Sequence, residues 1–313
     1  MDKIESFKIR LAELQSSNNW DIASSKTIKT IPCGKELFSH NPTIIVADPF
    51  LFIHNNKLYL FYEQKKHHTP GVLNMVSTED LKNWTEPITV LKEDFHLSYP
   101  YVFEDNGAIY MIPETCAIGE VRLYKADDSH LTHFSKECIL LDHKEHNSQI
   151  TIDFSDSSVY KHIDGKYYLM TTLNINKKNQ LYLYIADDLK GPYRKHPKSP
   201  IFTGNKYGRN GGSLLCLNEK LYRIAQDCVV RYGDNVHVFE ITEMTETSYS
   251  EQIVKEYLFD TTIPFYSAGG HQLNMTTFMG KRIIATDAKE YRLYFINRII
   301  RKFRVCIKRF FQA

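Results

Sequence analysis

The side chains best suited to chemistry in this sequence are carboxylates and a few basic and aromatic residues that stand far apart along the chain. Asp48 precedes Pro49, Glu114 follows Ile112-Pro113, Asp156 opens a serine-rich stretch, and His271 follows Gly269-Gly270. An acid and a base that bracket one bond can take a proton from an attacking oxygen and give one to a leaving oxygen. Asp48, Glu114, Asp156 and His271 are therefore the catalytic candidates. Tyr99, Glu104, Arg209, Gly212, Arg223, Asp227 and Tyr232 are the substrate-binding candidates. Guanidinium groups such as Arg209 and Arg223, with Lys206, Arg231 and His96, can form a phosphate-binding side to a pocket. Plainer roles exist for several of these residues. Asp48 can cap a strand start, Glu114 can end an apolar strand, Glu104 and Asp156 can be turn residues, and Asp227 can form a buried ion pair with Arg209 or Arg223. His67-His68 and His143 with His146 read as surface loop, and no spacing suits a metal. There is no P-loop and no GxGxxG. No metal and no cofactor is expected.

Residues so far apart can meet only if the chain repeats, and it does. Ala47–Glu63, Tyr99–Glu114, Asp156–Thr171, Gly211–Asp227 and Gly270–Asp287 share one plan: a short motif, an apolar strand, a polar turn and a second aromatic strand. Pro49 to Pro100 is 51 residues, Pro100 to Ser158 is 58, Ser158 to Gly212 is 54 and Gly212 to Gln272 is 60. The turns Asn106-Gly107 and Asp164-Gly165 are strong hairpin signals between alternating strands. A second hairpin follows in several repeats, as from VLNMVSTEDLKNW into ITVLKE. Five such units predict an all-β, five-bladed β-propeller over residues 1–296, whose first strands line a central funnel. The stretch 20–38 is expected to supply a strand that closes the ring with the last blade.

Composition agrees. The chain has 313 residues, 39 basic and 37 acidic, a net charge of +2, which excludes a strong field for nucleic acid. Aromatics make up 13%, which leans toward β-structure. The six cysteines show no tight framework and are expected to be buried free thiols. No run of about 18 apolar residues is present, and the first residues lack the apolar core of a secretory signal, so a cytoplasmic place is expected. The last segment, 297–313, differs in kind. Placed on a helix, Ile299, Ile300, Phe303, Ile307 and Phe310 share one side, and six Lys or Arg crowd the rest. It is expected to be a short basic amphipathic helix that contacts a membrane surface or a partner transferase.

Ala-Asp-Pro-Phe at 47–50 resembles the opening motif of the five-bladed carbohydrate-active superfamily, which includes arabinanases, xylosidases, invertases and levansucrases. In those enzymes the aspartate is nucleophile or general base, which is what the resemblance implies for Asp48. The stretches HLSYPYVFEDNGAIYMIPE (96–114), RNGGSLL (209–215), LYRIAQDCVVRYG (221–233) and GGHQLN (269–274) resemble the propeller domain of plant glucosamine inositolphosphorylceramide transferases and of bacterial surface-polysaccharide proteins. The likeness spans about residues 40–290 and carries Asp48, Tyr99, Pro100, Glu104, Glu114, Asp156, Arg209, Gly211, Gly212, Arg223, Gln226, Asp227, Tyr232, Gly233 and His271. Where the hydrolases place an Asp, blade two opens with Tyr99-Pro100. Where they place a Glu in blade three, this chain has Asp153 or Asp156, and Asn210 replaces a common Pro. The resemblance implies a glycosyl-transfer enzyme of cell-surface polysaccharide assembly, with a phosphorylated sugar donor and a glycan acceptor. A furanosidase-type hydrolase and a non-catalytic carbohydrate-binding module are the alternatives.

Overall fold

The computed structural model describes residues 3–34, 41–142 and 153–293. Among them the chain is all-β and forms a five-bladed propeller. Blade one comprises Thr43–His54, Lys57–Lys66, Val72–Thr78 and Ile88–Leu91, and blade two Ser98–Asp105, Ala108–Glu114, Glu120–Ala126 and Phe134–Asp142. Blade three is built on Phe154–Lys161, Tyr167–Ile175 and Lys178–Ala186, edged by two short strands. Blade four is built on Lys220–Asp227, Asn235–Met244 and Tyr249–Lys255, with two short inner strands, Arg209–Asn210 and Leu215–Leu217.

Blade five is assembled from both ends of the chain. Leu273–Phe278 and Lys281–Leu293 are followed outward by Lys3–Leu14 and then Ser25–Ile31. The stretch 20–38 does give the last blade a strand, Ser25–Ile31, but the strand next to Lys281–Leu293 is Lys3–Leu14, in register from Lys3 opposite Leu293 to Glu13 opposite Ile283. That later stretch supplies only the outermost strand. The cause is visible in KIESFKIRLAEL, where Phe7, Ile9 and Leu11 alternate with polar residues and are buried.

Every pair of neighbouring blades buries its own apolar cluster. Phe50, Phe61 and Leu73 meet Leu97, Val102 and Met111 between blades one and two. Ile112 and Leu123 meet Val159 and Leu169, and Met170 and Leu183 meet Ile241 and Met244. Ile224 and Val236 meet Leu273 and Ile284, and Ile9 and Ile283 meet Val46 and Leu60. The core is thus a ring of five inter-blade layers, which leaves the axis to polar groups. Of the described cysteines only Cys33 is buried and Cys216 is exposed, so the expectation of uniformly buried thiols was too broad. The helices among the described residues are short 3-10 turns such as Cys116–Ile118 and Pro264–Tyr266, and none is long and apolar enough to cross a membrane. The expected basic helix at 297–313 lies outside the described residues, as do His143 and His146.

One irregularity recurs where the inner strands reach the axis. The ladder slips between Ala47 and Phe50, between Ser98 and Tyr101, and between Ser155 and Ser158. Each slip holds one left-handed residue, Asp48 (φ 52°), Tyr99 (φ 50°) and Asp156 (φ 51°). A bulge of this kind re-aims a side chain, and non-glycine residues adopt it at a cost.

Candidate active site

The bulges place Asp48 and Asp156 at the axis, and each bulge amide is held by a side chain of the preceding blade. The Asp48 N–H donates to Asp287 Oδ2 at 3.2 Å and the Tyr99 N–H to Asp48 Oδ2 at 3.0 Å. The Asp156 N–H donates to Glu114 Oε2 at 3.2 Å, and the Asn210 N–H to Thr172 Oγ1 at 3.2 Å. Hydrogen bonds thus run from blade to blade around the funnel floor and fix each carboxylate in place.

Two charged groupings share that floor. In the first, His271 stands between two aspartates: Nε2 is 3.4 Å from Asp48 Oδ1, and Nδ1 is 2.7 Å from Asp287 Oδ2. Asp287 is wholly buried and also accepts the backbone N–H groups of His271 and Gln272 at 2.9 and 3.1 Å. Burial pushes the Asp48 carboxyl up to about 6; His271 opposes the rise, and the negative charges of Asp287 and Glu114 add to it. Burial disfavours a charged His271, but the two aspartates outweigh it and hold the imidazole above its usual range. In the second grouping, Arg209 Nε lies 2.6 Å from Asp156 Oδ2, and Arg209 Nη2 lies 3.5 Å from Glu114 Oε2. Gln226 Nε2 donates to Asp156 Oδ2 at 3.2 Å. Burial raises Asp156; Arg209 opposes the rise, and the charges of Glu114 and Asp48 add to it. Burial works to raise Glu114 too, but Arg209 and hydrogen bonds from Cys116 and the Asp156 amide hold it low. Glu63, facing His96 at 3.5 Å, is raised by burial and by Asp48 and Glu114. The floor therefore carries more carboxylates than cations.

Tyr232 marks the mouth. Its ring covers the Arg209 guanidinium at 5.2 Å and meets the His271 ring edge-on at 5.1 Å, yet it is 41% exposed. Tyr99 contributes its amide to the floor, while its ring is buried against Phe50 in the wall between blades one and two. Gly212 lets the blade-four inner segment cross blade five, because a Cβ there would stand 2.2 Å from the Leu273 carbonyl.

Three candidates lie elsewhere. Glu104 is exposed, opposite Ile109 near the far hairpin, because it lies five residues beyond the Tyr99 bulge. Arg223 is wholly buried, but it bonds Glu251 at 2.5 and 2.8 Å and the Tyr207 carbonyl at 3.1 Å. It stands three residues from Gln226, and an odd spacing on a strand reverses the face. Asp227 is reversed in the same way. It takes His237 at 3.2 Å and the Val229 N–H at 3.0 Å, so neither Arg209 nor Arg223 is its partner. Asp287 is the residue that sequence reasoning did not assign. The signal was there: four of the five repeats end in an acid, Glu63, Glu114, Asp227 and Asp287.

Asp48, His271 and Asp287 place one ligand atom each within 4.8 Å of the others, so they form the group among the described residues that can hold a metal ion. One imidazole and two carboxylates suit a divalent cation. A proton shared along Asp48–His271–Asp287 satisfies the same three groups.

A model of the N-terminal part of glucosamine inositolphosphorylceramide transferase 1 matches residues 3–285. The chain belongs to this family. It is 32% identical over 252 residues to glucosamine inositolphosphorylceramide transferase 1 of Arabidopsis thaliana, covering 77% of this chain and 32% of the relative. It is 32% identical over 259 residues to the Oryza sativa subsp. japonica protein, covering 78% and 32%. The chain thus spans about a third of the length of these relatives. Among solved structures, the family 117 glycoside hydrolase of Zobellia galactanivorans aligns over 92% of both chains with a TM-score of 0.55 and 16% identity. An α-L-arabinofuranosidase of Clostridium thermocellum aligns over 76% of this chain and 80% of its own, with a TM-score of 0.56 and 15% identity. These likenesses show the propeller fold.

Proposed function

We propose that the funnel floor catalyses glycosyl transfer from a phosphorylated, activated sugar donor to a glycan acceptor in cell-surface polysaccharide assembly. The reading draws on the family, whose plant members are named glucosamine inositolphosphorylceramide transferase 1. The observation that carries it is the Asp48–His271–Asp287 line beside the Arg209-bridged Asp156 and Glu114. Asp48, poised near 6, takes the proton of the acceptor hydroxyl as that oxygen bonds to the anomeric carbon. His271, engaged on both sides by aspartates, relays that charge toward Asp287. The bond to the donor phosphate breaks, and the phosphate leaves toward the partly exposed edge of Arg209 under Tyr232. Excess negative charge on the floor favours the positive charge that develops on the sugar ring. A hydrolase needs a second, unbridged acid across the scissile bond, whereas Glu114 and Asp156 both face Arg209. We place this chemistry in the cytoplasm at a membrane surface.

Thermal unfolding with phosphoribosyl diphosphate, nucleotide sugars, sugar phosphates and neutral oligosaccharides tests the reading, since a ligand stabilises the state that binds it. A phosphorylated donor is expected to raise the midpoint, Arg209→Ala to abolish that rise, and Asp48→Asn to keep the rise but lose turnover. Stabilisation by neutral glycans alone would refute the donor and leave a hydrolase or a binding module.

A further inference from the structure

Glu104, which the floor does not use, lines a second cavity. That cavity has a volume of about 240 Å³ and lies between blades two and three. Tyr101, Phe103 and Asp105 line it from blade two, and Lys161 and Tyr167 from blade three. Tyr101, Phe103 and Asp105 alternate along Ser98–Asp105 and so share a face. The rings of Tyr101 and Phe103 stack at 5.1 Å and 16°, and both stay partly exposed. The Tyr101 hydroxyl donates to the Val159 carbonyl of blade three at 2.7 Å, which holds that ring in place. Asp105 stands six residues beyond Tyr99 on a strand that rises about 3.3 Å per residue, so the cavity is about 20 Å from the floor.

The polar groups of this cavity are held but not saturated. Asp105 accepts the Tyr167 hydroxyl at 2.9 and 3.0 Å, the Lys161 ammonium at 3.0 Å and the Asn106 side-chain amide at 3.0 Å. A carboxylate has about four lone-pair sites, so those three donors leave one. Lys161 donates to Asp105 and, at 3.4 Å, to Asn106 Oδ1, and an ammonium has about three donors. Among the described residues, one donor and one acceptor are thus left over beside two stacked rings. A ligand that suits them has an apolar face and hydroxyls along its edge, since a hydroxyl both gives and accepts a hydrogen bond. A single sugar ring has that form. The volume agrees, because sites for larger molecules begin at about 300 Å³. Glu104 and Asp105 against Lys161 leave the lining one negative charge, which disfavours a phosphate.

We propose that the cavity between blades two and three binds one neutral sugar residue of a glycan, stacked on Tyr101 and Phe103 with its hydroxyls on Lys161 and Asp105. The site is non-catalytic and separate from the funnel floor. It does not depend on the reaction proposed above, because a transferase, a hydrolase and a binding module can each hold a glycan at a second point.

Saturation-transfer NMR of the full chain tests it, with glucose, galactose, mannose and N-acetylglucosamine as neutral probes and glucose 6-phosphate as the charged one. At least one neutral sugar is expected to receive saturation, most strongly at the C–H groups of one ring face. Phe103→Ala is expected to raise its dissociation constant about tenfold, from the lost stacking face. Phe103→Tyr keeps a ring and is expected to bind as the parent does. Lys161→Met is expected to weaken binding about fivefold, from one lost hydrogen bond. Lys161 is on the surface, so this variant decides the matter even if Phe103→Ala fails to fold. Saturation of no neutral sugar, unweakened binding in Lys161→Met and Phe103→Ala, or tighter binding of glucose 6-phosphate than of any neutral sugar would each overturn the proposal. Binding lost in Asp48→Asn but kept in Phe103→Ala and Lys161→Met would place the sugar at the floor, which overturns this site and leaves the proposed reaction standing.

Discussion

Asp48 is a carboxylate whose surroundings make ionisation expensive. It is 4% exposed, two further acids lie close by, and only His271 offers positive charge. Its ordinary value is 3.8 and its folded value about 6, so between these the native state holds a proton that the unfolded chain releases. Its contribution to stability is therefore full below about pH 4 and is lost as pH rises through 6. His271, also raised, acts in the same direction, contributing fully below about 6.5 and less as pH passes its folded value. Exposed acids that are lowered, such as Asp80 at about 2, are ionised throughout that range and do not mask the trend. Urea unfolding is expected to give lower stability at about pH 7.5 than at about pH 5.5, by about 1 kcal/mol from Asp48 alone. Asp48→Asn should remove that part of the slope. An unchanged slope would mean that Asp48 is already ionised at the lower pH.

At the scale of the strand, two of the three bulges bring acids, Asp48 and Asp156, to the axis. Glycine does related work in blade four, where Gly212 (φ 152°) passes 2.2 Å, by its would-be Cβ, from the Leu273 carbonyl. Gly107 (φ 77°) also has a left-handed backbone, but nothing stands within 4 Å of a Cβ placed there. Gly107→Ala is expected to cost about 1–2 kcal/mol, the backbone penalty alone. Gly212→Ala adds a clash with backbone and should cost more than about 3 kcal/mol. Denaturant midpoints of the two variants check the ordering, and equal losses would refute the crossing described here.

These contrasts also explain what the sequence could disclose. Hairpins at Asn106-Gly107 and Asp164-Gly165 are local chemistry, so the repeat and the five blades were legible, and with them the convergence of Asp48, Glu114, Asp156, Arg209 and His271. A bulge is not local in that sense, because no residue type announces the extra residue before Phe50 or Tyr101. Arg223 and Asp227 were carried as site candidates with the resemblance, but they bond Glu251 and His237. Asp287 went unassigned because its partner, His271, lies across a turn in the same blade and the acid stands among other charged residues of Lys281–Leu293.

The whole molecule depends on closing a circle with its own two ends. Five inter-blade layers share the apolar burial, and each is needed to hold its neighbours in place. Four blades come from continuous chain, while the fifth joins Lys3–Leu14 to Lys281–Leu293 without a covalent connection, by ladder hydrogen bonds and ion pairs such as Lys8–Glu290. Local opening follows the least anchored element, and that pairing is where the circle can part. Lys3 and Leu293 are opposite partners, so their Cα atoms stand about 5 Å apart. A linker of a few residues can bridge them, with new ends cut at the Asn106-Gly107 turn. Backbone amides of residues 3–14 should then exchange with deuterium more slowly than in the parent. Unaltered exchange there would locate the weakest point in another blade. In the parent, the clasp that completes the ring also shields the site: when Lys3–Leu14 lets go, Phe7 leaves the His271 ring it touches, and water gains a sideways path to that imidazole.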